Sequence, residues 1–258
     1  MTPIKIAVAV LMTVAACTPA ISAQSADERS AAREVVKKRG DAVVMVTATL
    51  KVRYNVGGRE QTSDQQAQAN GTVLDASGLT VLSLSTLQPD DLMARSLSAR
   101  VSPDTKVDVT TEPSEIKMHM ADGREVPAKL VLRDQDLDLA FIRPTQASST
   151  PMTCVDAPTA KPSILDLLFV IQRTSEATGW TTAAAFGTVQ LVIDKPQTYY
   201  QVAMPTVGGS GLGSPIFDPS GRFVGIILLR NTGGRGASAS GILPADEIRD
   251  IAKQASAK

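Results

Sequence analysis

The stretch that most constrains this chain runs Val207-Gly208-Gly209-Ser210-Gly211-Leu212-Gly213-Ser214-Pro215-Ile216-Phe217. Backbone with so few side chains can fold back tightly and bring several N–H groups to bear on one spot. Asp218-Pro219-Ser220-Gly221 follows as a turn, and Arg222 to Leu229 reads as a buried apolar strand.

At 258 residues the whole chain can bury a substantial core. Only 3% of its residues are aromatic, too few rings to line a stacking cleft for nucleobases or sugars. Residues 1–23 read as an export signal: Lys5, an apolar core from Ile6 to Ala16 too short to span a bilayer, and the small-residue end Ile21-Ser22-Ala23. A second reading of the same segment takes Val14-Ala15-Ala16-Cys17 as a lipoprotein processing site with Cys17 lipidated. Cleavage after Ala23 is preferred, because the lipoprotein reading leaves the second site without purpose. Both readings place the product outside the cytoplasm, in a bacterial periplasm or secreted. A membrane is then a partner only through Cys17. Without residues 1–23 the chain carries 25 basic and 26 acidic side chains, so no basic field exists for nucleic acid. Cys154 would be the one remaining cysteine, with no intrachain disulfide to make, and it reads as a packing residue.

In chain order, Glu28 to Arg39 is a charged amphipathic helix stopped by Gly40. Ala42 to Leu50 is a β-branched strand, and Asn55 to Asn70 reads as an exposed polar loop broken by Gly57-Gly58. Gly71 to Ser83 is a hairpin turning at Asp75–Gly78. Pro89 to Pro113 is polar and irregular, an expected surface insertion. Glu115 to Met120 alternates, which sets the chain's only histidine, His119, on a polar and expectedly surface-exposed face. A turn at Ala121–Arg124 precedes a strand from Glu125 to Leu132, and Arg133 to Ile142 is an acidic connection into a further apolar strand. Pro144 to Pro162 has the composition of a linker. Leu165 to Ile171, Ala183 to Val189 and Tyr199 to Met204 read as strands. Gly241 to Pro244 leads into a helix over 245–254.

Three of these segments carry a resemblance. The glycine loop with its following strand, the Gly71–Ser83 hairpin, and Asp138-Leu139-Ala140 opening an apolar strand together resemble the protease domain of trypsin-like serine proteases of the HtrA/Deg type, over roughly residues 30–256. The resemblance implies two packed antiparallel six-stranded β-barrels with short terminal helices. Barrel one would span about 41–145 and barrel two about 160–243, in one domain over 24–258. The helix at 245–254 would close it, with no PDZ domain after it. Residue by residue, the resemblance places the triad histidine at Ser85, the triad acid at Asp138 and the nucleophile at Leu212. It departs from the family again at Gln172-Arg173-Thr174, where a Gly-Asn-Pro loop is usual.

Acyl transfer on this scaffold needs a hydroxyl, a histidine to take its proton and an acid to orient that histidine. A leucine cannot attack a carbonyl and a serine hydroxyl is a poor base, so the triad reads as degenerate. Asp138 is then a remnant that hydrogen-bonds Ser85 or nearby backbone N–H groups. Ser210 and Ser214 are the fallback nucleophiles, without a histidine partner. Asp134, Asp136 and Asp138 begin like a calcium loop, but no glycine turn or closing glutamate follows. No metal and no cofactor are expected. The functional expectation is an exported, proteolytically inactive homologue that binds extended polypeptide or a protein partner by strand addition along Gln201 to Val207. Met204, Thr206, Val207, Gly209, Gly211 and Leu212 would contact it. Two alternatives stay open: a weak hydrolase using Ser210 or Ser214 with a non-standard base, and a structural envelope component.

Overall fold

The computed structural model describes residues 26–147, 150–205, 211–231 and 238–256. Helix α1 (Ala26–Arg39) leads into barrel one. Its strands are β1 (Val43–Val56), β2 (Arg59–Val73), β3 (Thr80–Ser83), β4 (Val107–His119), β5 (Glu125–Asp134) and β6 (Leu139–Pro144). Two helices lie between β3 and β4: α2 (Leu84–Leu87) and α3 (Asp90–Ser98). Barrel two is built from β7 (Leu167–Arg173), β8 (Thr182–Ile193), β9 (Tyr199–Ala203), β10 (Pro215–Phe217), β11 (Phe223–Asn231) and β12 (Ser238–Pro244), and α4 (Ala245–Ser256) follows. Each set of six closes into an antiparallel barrel, in the orders β1-β2-β3-β6-β5-β4 and β10-β11-β12-β9-β8-β7. This is the expected pair of six-stranded barrels. Closure leaves no long unpaired edge on either sheet.

Two segments differ from the sequence reading. The stretch 55–70, expected to loop, is mostly strand: β1 and β2 pair from Val43↔Thr72 out to Val56↔Arg59. Gly57 and Gly58, with φ of 57° and 82°, form the two-residue turn, a geometry with positive φ at both positions that matches strand twist. On β2, residues 59–62 are all exposed and 63–68 are at most half-buried, so its Gln, Ser and Thr residues need no apolar alternation. The stretch 89–113, expected to be irregular, holds α3 and the first half of β4, which pairs with β1 from Val56↔Val107 inward. Pro113 lies in that ladder beside the register shift at Thr47/Thr49, the kind of irregularity that admits a proline.

The core has three parts. One fills barrel one, around Val44, Leu82, Met118 and Ile142. A second fills barrel two, around Leu168, Val170, Ile216 and Val224. The third joins both barrels to the terminal helices: Ala32 of α1, Phe141 of β6, Phe169 of β7, Phe217 of β10, Phe223 of β11 and Ile248 of α4. Phe217 links the rings of Phe169 and Phe223, at centroid separations of 5.9 and 5.7 Å. Ala245, Ile248, Ala252 and Ala255 recur at helical spacing and seat α4 on this core.

Polar bonds tie the barrels at one more point. Arg173, at the end of β7 and only 3% exposed, donates from Nε to the Val43 carbonyl at 2.9 Å. Its Nη1 reaches the Trp180 carbonyl at 3.1 Å and its Nη2 the Gly40 carbonyl at 2.7 Å. Its backbone N–H donates to Asn70 Oδ1 at 2.6 Å. Arg173→Leu leaves those three carbonyls without their donors, and a buried acceptor so stranded costs about 1–3 kcal/mol. Urea unfolding of this variant is expected to show a loss of about 3 kcal/mol in stability. A loss below a few tenths of that would contradict the seam role.

Candidate functional site: a remodelled peptidase cleft

The site is assembled where β3 runs into α2 beside the start of β6. Ser83 pairs with Leu139 in the β3–β6 ladder, and the Leu84 N–H donates to the Asp138 carbonyl at 2.9 Å. Asp138 takes a positive φ of 58°, which turns its side chain back over the start of α2. Its carboxylate is 6% exposed and accepts four bonds. Ser85 gives two of them to Oδ1, from N at 2.7 Å and from Oγ at 2.6 Å. Ser83 Oγ donates to Oδ2 at 2.5 Å, and the Leu229 N–H of β11, in the other barrel, donates to Oδ2 at 2.8 Å. Burial pushes this carboxyl above its ordinary value of 3.8, against the pull of the Ser83, Ser85 and Leu229 donors. Ser85 and Asp138, placed together by the sequence reading, are in direct contact.

The end of the glycine loop is fixed to both barrels. Gly213 N–H donates to the Ile227 carbonyl at 2.7 Å, and Thr72 Oγ1 of β2 donates to the Gly213 carbonyl at 2.8 Å. Gly213 has φ +82°, and a Cβ there would lie 1.9 Å from the Asn70 carbonyl oxygen, so only glycine fits. Leu212, 9% exposed, belongs to the core cluster of barrel two with Leu168, Val189 and Ile227.

A family model, the trypsin-like peptidase domain, matches residues 30–226, which include Ser85, Asp138 and Leu212. The chain belongs to this family. No curated protein matches it. The trypsin-like assignment and the twin barrels agree on the fold.

Of the fallback nucleophiles, Ser210 lies outside the described residues, as do Thr206, Val207 and Gly209. Ser214 is fully buried, and its Oγ has no hydrogen-bond partner among the described residues. A sealed hydroxyl without a base is a poor nucleophile. The proposed docking strand is altered by the barrel closure. β9 pairs with β8 along its length, and with β12 at Tyr200↔Ile242. Past that pair, the described register of β9 and β12 stops, and a small apolar pocket of about 50 Å³ opens there between Val202, Met204 and Ile227. A larger pocket of about 320 Å³ lies beside Asp138 and is polar, with Ser85, Gln88, Asp90, Asp91, Gln135 and Asp138 in its lining.

The calcium-like run is divided among separate tasks. Asp134 Oδ1 accepts the N–H groups of Asp136 and Leu137, both at 3.1 Å, and so closes the β5–β6 turn, while Asp138 faces Ser83 and Ser85. No metal-binding group of three His, Cys, Asp or Glu occurs among the described residues. Cys154 is half-buried against the core of barrel one.

His119 corrects the sequence reading. It is 8% exposed, not on the surface, because Trp180 from the β7–β8 connection stacks on its ring at 4.4 Å. Strand alternation predicts which face a residue takes, but not what a distant loop lays over it. Thr47 Oγ1 is 2.9 Å from Nε2, and Glu125 Oε1 is 3.6 Å from Nδ1. None of the histidine's partners is Ser85, Asp138 or Leu212. Burial lowers the imidazole below 6.5; Glu125 and Glu176 oppose this and Lys117 adds to it.

Two titrations follow. A ¹³C carboxyl titration should place Asp138 above 3.8, and Ser83→Ala or Ser85→Ala should raise it further, since each removes a donor that favours the anion. The folded state then holds this proton more tightly than the unfolded chain. Its stabilising effect is present below pH 3.8 and is lost as pH rises through the folded value. His119 has the opposite sign. Its contribution to stability is present above pH 6.5 and falls as pH drops through the lowered folded value, so His119→Gln should flatten a stability profile in that window. An unchanged profile would contradict the buried, neutral ring.

Proposed function

We propose that this protein is an exported, HtrA-like member of the family that has given up proteolysis and binds extended polypeptide in the cleft. The observation that carries the reading is the Asp138 carboxylate. In a working triad this group orients an imidazole; here its acceptor capacity is taken by Ser83, Ser85 and Leu229. At the position of the nucleophile stands a leucine packed into barrel two.

Binding needs none of the lost groups. An extended segment docks through main-chain bonds to a strand, and shallow apolar pockets select alternate side chains. The opening between β9 and β12, with Val202 and Met204 at its rim, offers both a strand without a continuing register partner and an apolar recess. Export rests on residues 1–23, and the partner is a polypeptide of exposed apolar side chains rather than nucleic acid.

The test uses fluorescein-labelled, unfolded casein. The expected result is saturable binding by fluorescence anisotropy, no new casein fragments by mass spectrometry, and at least tenfold weaker binding for Met204→Arg. Absence of binding, or an unchanged affinity in that variant, overturns the peptide-binding site. Casein fragments, or fluorophosphonate labelling of a glycine-loop serine, overturn the loss of catalysis.

A further inference from the structure

A second recess lies between α1 and the β7–β8 hairpin of barrel two, with a volume of about 390 Å³. Its floor is apolar: Phe169 and Phe186 come from the paired strands, and Val36 from the helix. Its rim is cationic. Arg29, Arg33 and Lys37 all line it, spaced four residues apart along one face of α1. All three are exposed, and their side chains make no ion pair or hydrogen bond among the described residues. On an ordinary surface helix such cations would alternate with acids at i±4 positions. Here position 33 has Arg29 and Lys37 as its i±4 neighbours, so like charges are stacked along the groove at a cost in helix stability.

We propose that this groove binds a single-chain alkyl carboxylate, a fatty acid, with its tail on the half-buried Phe186, Ala185 and Val36 and its carboxylate on the Arg29–Arg33–Lys37 row. Three observations converge on that chemistry. The volume is of the size that encloses small ligands rather than a protein surface. The apolar floor matches a hydrocarbon tail, and the unpaired cations match an anionic head. From residue 29 to residue 37 the row spans about 12 Å of helix, long enough for one extended chain to lie alongside. Ala184, exposed on β8 next to the groove, leaves the entrance open where a larger residue would close it. The groove shares no lining residue with the β9–β12 opening, so this inference is independent of the peptide-binding reading.

The experiment is isothermal titration of the purified protein with dodecanoate below its micelle concentration, at low and moderate salt. The expected result is one saturable site per chain, weakened by salt, with at least tenfold lower affinity for Arg33→Glu and for Ala184→Trp. Both substitutions are at exposed positions, and circular dichroism checks that each variant keeps its fold. Dodecanol, with the same tail and no charge, should bind at least tenfold more weakly, and acetate should not bind detectably. No saturable site for dodecanoate, equal affinity in the Arg33→Glu variant, or binding only to phosphatidylglycerol vesicles would each overturn the proposal.

Discussion

The fold turns on a buried carboxylate with donors from both barrels. Asp138 cannot remain an anion in the interior without compensation, because desolvating an isolated charge costs several kcal/mol or more. Ser83 and Ser85 supply three bonds from the β3–α2 corner of barrel one, and Leu229 supplies the fourth from β11 of barrel two. The shared acceptor therefore fixes the α2 corner against the facing barrel. Arg173 does the equivalent work with the charges reversed, a buried cation spread over carbonyls of β1, of the turn before it and of the β7–β8 connection. Gly213 completes the seam, since it lets the glycine loop pass within contact of the Asn70 carbonyl.

This seam also holds Ser85, Asp138 and Leu212, all within the stretch that matches the trypsin-like peptidase domain. A carboxylate that orients an imidazole needs an acceptor oxygen aimed into the cleft. With serine at position 85, both oxygens are engaged by short side chains and backbone, and the group becomes a structural joint. The side chain at 212 follows the same logic. A leucine there joins the core of barrel two, and burying such a side chain is worth about 2 kcal/mol.

Recesses with apolar lining residues open at the surface. One opens where β9 and β12 part beyond Tyr200 and Ile242, and the other lies beneath the cationic face of α1. They differ in electrostatics: the first has an uncharged lining, and the second is bordered by three cations. The first fits a neutral, extended chain and the second an amphipathic anion.

Much of this was legible locally. Alternation, β-branched runs and turn residues determined most strands, and the motifs around Asp138 and Leu212 determined the barrel pair. Those signals are encoded over a few neighbouring positions. The β2 ribbon was not legible, because the outer part of that strand buries no side chain fully and carries no apolar period; β1 recruits it through backbone pairing. His119 was misread for the same reason at longer range: Trp180, far away in sequence, covers its ring only once the chain has folded. The sequence by itself determined which chemical groups were available. Tertiary structure alone decided which of them meet: a carboxylate with two serines and a strand from the opposite barrel, a histidine beneath a tryptophan, and a row of helix cations above a phenylalanine floor. Those encounters depend on how closed barrels and helices pack in space, which no local pattern records.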